Sequence, residues 1–316
     1  MLEVFLLSNS LEDIFNSFEY CEVQSYMNLS LVGIKSSKSF SGVDILPLEK
    51  GLDLGLVEIN ETEPENVNML CVSNNAVTPL IIFDGEEIIG AKQNRISNST
   101  YIIEAKSSMN IMVSCTEAGR WNYTSKHFGH SGYFAESRVR RAKAEDVGKS
   151  LKNSGRRCSD QSRVWDTIDD VNKEMNVESE TSALRDMYTI NKKKLNKYVD
   201  HFPYRDGMIG CVILVNGVIL GIELLFNQSW YRDNHRRIVE SYVPEAIIRQ
   251  DDHEKYYDVS TVIDKFISEI TSSSIDEFEC VSMGRDIRVD EGDIVGQATL
   301  LDDNPINASF FRRVES

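Results

Sequence analysis

Asn216-Gly217 sits between two apolar runs, 209–215 and 218–226. An Asn-Gly pair in that setting is the strongest short-range hairpin signal, because both residues accept the backbone of a tight two-residue turn. Neither run alternates apolar with polar residues, so both faces of the hairpin need cover. The stretch 208–226 approaches membrane-span length. Asn216-Gly217 interrupts it and Glu223 lies inside it, so a hairpin is the better reading.

The rest of the chain separates strands from helices. Residues 1–125 read mostly as short strands after a helical start at 11–18. Residues 80–83 and 86–89 flank Asp84-Gly85, a hairpin-type turn. Residues 101–104 and 110–115 follow, and Ile111, Val113 and Cys115 share one strand face. The middle is helical. Val164, Ile168, Val171 and Met175 form one stripe, and Leu184, Met187, Tyr188, Asn191, Leu195 and Tyr198 a second, with Ser179 or Thr181 as its N-cap. Beyond the hairpin, a helix at 234–248 contains Pro244, which should kink or divide it. Val259, Val262, Ile263, Phe266, Ile267 and Ile270 mark an amphipathic helix. Strands are expected again at 280–283, 294–301 and 308–311. Such segregation predicts an α+β fold with mainly antiparallel sheets, not a doubly wound one. The expected segments are a β-rich 1–79, an α+β core at 80–250 and a helix with strands at 251–316.

Charge narrows the partners. The 316 residues carry a net −16, which argues against a long nucleic acid or an anionic membrane as the main partner. Residues 126–164 depart from this, with ten basic and four acidic side chains. That block is a solvated face, a surface paired with the protein's own acids, or an assembly surface for an acidic partner, with a homo-oligomer as one outcome. The N-terminal residues lack a basic export signal, so a cytoplasmic chain with six reduced, mostly buried cysteines is expected. No standard Gly-rich nucleotide loop occurs. His127 and His130, with Glu117 near in sequence, are too few for a zinc site on spacing alone, and neither a metal nor a cofactor is expected.

The chemistry concentrates in three polar segments. Lys92-Gln93-Asn94-Arg95 follows the first turn, and Glu117-Ala118-Gly119-Arg120-Trp121 ends the 110–115 strand. If 101–104 pairs with 110–115, both lie at one end of a sheet. Gln93, Arg95, Glu117, Arg120 and Trp121 could then surround a pocket, with Arg as an anion fork and Trp as a stacking face. The alternative is a structural ion pair of Arg95 or Arg120 with Glu117, with Trp121 covering the core. The third segment, 156–161, holds Arg157, Asp160 and Gln161 before a helix that includes Trp165. It reads as an anion site or as a plain helix cap.

The runs Gly-Ala-Lys92-Gln93-Asn94-Arg95, Ser-Cys115-Thr-Glu117-Ala-Gly-Arg120-Trp121 and Ser159-Asp160-Gln161 resemble one bacterial and viral family. It is the ADP-ribosylglycohydrolase- and rhodanese-phosphatase-associated protein domain, and the likeness runs over about 80–248. The resemblance carries no reaction. It implies a role near NAD-derived metabolites and puts weight on Gln93, Asn94, Arg95, Cys115, Glu117, Arg120, Trp121, Asp160, Gln161 and Trp165. The expected function is binding of a small anionic nucleotide-like ligand such as ADP-ribose, with phosphates on Arg95, Arg120 and Arg157. An enzyme using Glu117 as general acid or base is the alternative. Cys115 is expected to face the core and stay inert.

Overall fold

The computed structural model describes residues 12–38, 44–120, 125, 127–250 and 258–314. It is an α+β protein with mainly antiparallel sheets. No helix among the described residues is long and apolar enough to cross a membrane. Two compact units emerge, each assembled across the expected segment boundaries at 79 and 250. One holds Met1–Ser41, Asn196–Phe278 and Arg285–Ser316, the other Gly42–Leu195 and Glu279–Gly284.

The hairpin lies at the centre of the first unit. Asn216 and Gly217 both have positive φ, 50° and 76°, as a type I′ turn requires. Its arms, Gly210–Val215 and Val218–Leu225, sit inside a sheet of nine strands among the described residues, flanked by Leu29–Ser36 and Asn304–Arg312. Val212, Leu214, Ile222 and Leu224 share one core with Ile263, Phe266 and Ile270 of the Val259–Ser272 helix. The opposite face meets the Gln228–Ile248 helix, whose Tyr242 hydroxyl donates to Glu223 Oε1 at 2.6 Å. Ser309 donates to Glu223 Oε2, also at 2.6 Å, so the carboxylate inside the apolar run has a partner on each oxygen.

Three expectations are corrected, two in this unit and one at residues 280–283 of the other. Pro244 does not divide its helix, which starts six residues early at Gln228 behind an Asn227 cap and stays helical to Ile248. Most of its residues are buried, and that packing outweighs the one backbone bond proline removes. The opening helix covers only residues 12–15 of the described chain, and Phe18 begins a strand. Residues 280–283 form a loop between Ile275–Glu279 and Arg285–Glu291.

The second unit carries two sheets. Six strands run in the order Phe128–Phe134, Glu86–Gly90, Arg95–Ser97, Ser107–Cys115, Met69–Asn74, Val57–Glu61. Tyr101–Ile103, Leu80–Ile82 and Leu46–Pro47 form the other. Both sheets contribute to one core, with Ile82, Ile88, Ile103 and Ile111 at its centre. Asp84-Gly85 is therefore a turn between sheets and not a hairpin. Leu80–Ile82 is already flanked by parallel Leu46–Pro47 and antiparallel Tyr101–Ile103, leaving no edge for Glu86–Gly90. Tyr101–Ile103 does not pair with Ser107–Cys115 either, because that strand is already flanked by Arg95–Ser97 and Met69–Asn74. The second helical stripe is split at Asn191 into Leu184–Ile190 and Lys192–Val199. Ala183 stands at the cap position of the first, and Ser179 Oγ accepts the Ala183 N–H at 2.9 Å.

At least four of the ten basic side chains in the 126–164 block pair with the unit's own acids. Arg138 pairs with Glu174, Lys149 with Glu145, Arg163 with Glu145 and Asp146, and Lys143 with Asp84 in the interior. Among the six cysteines, Cys115 and Cys211 are buried and the other four half-buried, fewer than expected inside; all are free thiols.

Candidate functional site

The register Cys115↔Arg95 brings the first two polar segments together. The Thr116 N–H donates to Asn94 O at 3.0 Å, extending that pairing. A third segment then lies alongside. The Gly119 N–H donates to Thr181 O and the Leu184 N–H to Thr116 O, both at 2.9 Å, and Glu117 bridges Ala183. Gly119 permits this approach: a Cβ there would stand 2.9 Å from Thr181 Cα. The Leu184–Ile190 helix starts where this ribbon ends, which sets Arg185 beside Glu117 and Arg120.

These residues wall a cavity of about 600 Å³. Ile89, Gly90, Phe128 and Gly129 contribute from paired strands, and Asn94, Glu117 and Arg120 from the strand ends. Ala183, Arg185 and Asp186 close one side, and Ser125 and His127 another. Glu117 is 6% exposed. Its Oε2 accepts from Arg120 Nε at 2.7 Å, and its Oε1 from Thr181 Oγ1 at 3.0 Å. Arg120 also donates through Nη1 to Ala91 O at 2.8 Å and through Nη2 to Asn94 Oδ1 at 3.1 Å. The two readings of the sequence thus coexist in one place: Arg120–Glu117 is a structural ion pair, and the same pair faces open space.

Arg185 differs from Arg120. Its half-buried guanidinium lines the cavity and makes no hydrogen bond or close ion pair among the described residues. Behind this wall stands Glu87, 1% exposed, whose carboxyl burial pushes up to about 7. Ser131, Arg185 and Thr116 oppose that shift, and Glu117 adds to it.

The other sequence candidates lie elsewhere. Arg95 is fully buried, with Nε on Val67 O at 3.0 Å and Nη1 on Gln93 Oε1 at 3.4 Å, and Gln93 is as deeply enclosed. Burial pushes the nearby Cys115 thiol and Glu61 carboxyl above their ordinary values, with the Arg95 charge opposing both shifts. Arg157 is buried and donates to Glu279 O at 2.8 Å. Asp160 caps the Gln161–Glu174 helix by accepting from Ser162 and Arg163 N–H. Trp165 is half-buried on that helix and outside the cavity wall. Trp121 lies outside the described residues. Of the proposed set, Asn94, Glu117 and Arg120 meet at the cavity; Arg185, Asp186 and Phe128 join them without having been singled out.

Gln161 has a different task. Its Oε1 accepts the Cys115 N–H at 2.8 Å and its Nε2 donates to Cys115 O at 2.9 Å. The side-chain amide thus continues the sheet ladder at the strand end. Gln161→Ala orphans both backbone groups and is expected to cost about 2 kcal/mol in urea unfolding, against about 1 for Gln161→Glu, which keeps the acceptor.

His127 and His130 do not share a site with Glu117 as a triad. His130 stands between Glu49 and Asp53, with Nε2 at 3.2 Å from Asp53 Oδ1 and Nδ1 at 3.7 Å from Glu49 Oε1. These donor atoms lie within 4.8 Å of one another, and one nitrogen with two carboxylates suits a zinc- or manganese-like ion. His127 Nδ1 faces Asn60 and Glu58 at 2.9 and 3.2 Å.

No curated protein and no solved structure gives a significant match to this chain. A family match spans residues 17–311, well beyond the 80–248 over which the motifs are recognisable, so the flanking strands are family features. The chain belongs to the ARPP-1 family, the ARG and Rhodanese-Phosphatase-superfamily-associated Protein domain.

Proposed function

We propose that the cavity binds a small anionic, nucleotide-like ligand, with ADP-ribose the first to test. One observation carries this reading: Arg185 presents a guanidinium to the cavity with no hydrogen-bonded or close-paired carboxylate among the described residues. An arginine fork of that kind suits phosphate or carboxylate oxygens. The wall supplies complementary groups. Glu117 and Asp186 can accept from sugar hydroxyls, Asn94 both donates and accepts, and Ile89 adds apolar surface to the wall. Arg120 supports the site electrostatically, with most of its N–H groups already committed to Glu117, Asn94 and Ala91. The family's association with ARG proteins gives the ligand class its direction, not its identity.

Thermal-shift and calorimetric titrations with ADP-ribose, AMP, ribose 5-phosphate and pyrophosphate test the proposal. Saturable binding by at least one is expected, weakened about tenfold or more in Arg185→Gln, as for loss of a charged hydrogen bond. No heat and no shift with any of them at millimolar concentration contradicts it. Catalysis is the second reading, supported by the position of the Glu117 carboxylate at the wall. Product formation from ADP-ribose that disappears in Glu117→Gln supports an enzyme, and recovery of intact ligand supports a binder.

A further inference from the structure

We infer that Glu87 couples anion binding in this cavity to protonation: its carboxylate population takes up protons from solvent when an anion settles on Arg185. The inference rests on the proposed anion site. Glu87 pairs with Ile96, and Ile96 with Ser114, so these three share one sheet face. Two residues along that face, Ile89 lines the cavity. Glu87 is thus the next inward-facing side chain beneath the cavity floor.

Its surroundings leave the charge poorly compensated. Oε1 receives one long hydrogen bond, 3.5 Å from Thr116 Oγ1, and Oε2 receives none of normal geometry. The groups acting on it are the Ser131 and Thr116 hydroxyls, the Arg185 cation and the Glu117 anion. Arg163 of the Gln161–Glu174 helix is tied to Glu145 and Asp146. Arg95 and His130 pair with Ile88 and so belong to the opposite face. A buried carboxylate held by one distant cation is close to balance between its two forms. The elevated carboxyl titration, near neutral pH, agrees with that geometry. An anion on Arg185 cancels the one charge that favours the carboxylate and repels it directly. Both effects convert the carboxylate to the neutral acid, so anions bind more tightly as pH falls.

Calorimetry with ADP-ribose in two buffers of different ionisation heat reads the proton directly. The pyrophosphate diester does not titrate between pH 6 and 8, and the readout is wild type against Glu87→Gln. Wild type is expected to take up roughly 0.3–0.5 proton more at pH 7, and to lose about threefold more affinity between pH 6 and 8. Equal proton counts and equal pH profiles overturn the inference while leaving the binding proposal intact. A second arm needs no ligand. The carboxyl carbon of Glu87, followed by NMR, should titrate about one pH unit higher in Arg185→Gln than in wild type. If ADP-ribose binds neither protein, the binding proposal fails, and this arm still decides the coupling: an unmoved midpoint overturns it.

Discussion

Arg120→Met is expected to destabilise the second unit by about 3 kcal/mol and to abolish ligand binding. Methionine keeps much of the arginine stem and removes the charge. What remains is Glu117, 6% exposed, with Thr181 as its one remaining hydrogen-bond donor in view. Breaking a buried pair from one side is costly because an uncompensated charge stays behind. The lost donors to Ala91 O and Asn94 Oδ1 add to the cost, since they tie the 91–94 turn to the 117–120 segment. Glu117→Gln alone should cost less, because a neutral amide still accepts from Thr181. The double variant should recover part of the Arg120→Met loss, and the recovery measures the pair itself. Urea unfolding of the four proteins supplies the numbers. Strict additivity contradicts the assignment of Arg120 as the counterion of Glu117.

Glu87→Gln should change the pH dependence of stability more than any exposed carboxylate does. Burial raises the Glu87 carboxyl from its ordinary 4.5 to about 7, so the folded state holds a proton that the unfolded state releases. Stability then falls as pH rises from about 4.5 to about 7, by roughly 3 kcal/mol in total. Glutamine cannot titrate. Relative to wild type, the variant should gain that amount across the interval and keep a constant difference above it. A fixed offset from the buried amide leaves this slope untouched. Denaturant midpoints at pH 4.5, 6 and 7.5 check it, and a wild-type-minus-variant difference that stays flat contradicts it.

Local chemistry was legible in the sequence where one short segment dictates the outcome. The Asn216-Gly217 turn, the cover on both faces of its arms and the Val259–Ser272 helix follow from periodicity and backbone permissiveness alone. Pairing partners were not legible. Leu80–Ile82 has partners 34 residues before and about 20 after, and no local pattern encodes that choice. The meeting of 92–95 with 115–120 was reached through the wrong strand pair, since Arg95–Ser97, not Tyr101–Ile103, lies beside Ser107–Cys115. The cavity shows the same division. Asn94, Glu117 and Arg120 stand out by type and clustering. Arg185 reads as an ordinary helix residue until Glu117 and Ala183 form their bridge, 66 positions apart in the chain. The fold spends the polar groups of Arg95 and Gln161 mainly on backbone partners.

A calorimetric titration of ADP-ribose into wild type and Arg185→Glu, each at low and high salt, addresses the anion site most directly. Wild type should bind at low salt and weaken several-fold at high salt, as charge screening requires. The charge-reversed variant should retain its fold and show no binding at millimolar ligand. Equal binding by the two proteins, unaffected by salt, would contradict the assignment of the cavity as an anion site.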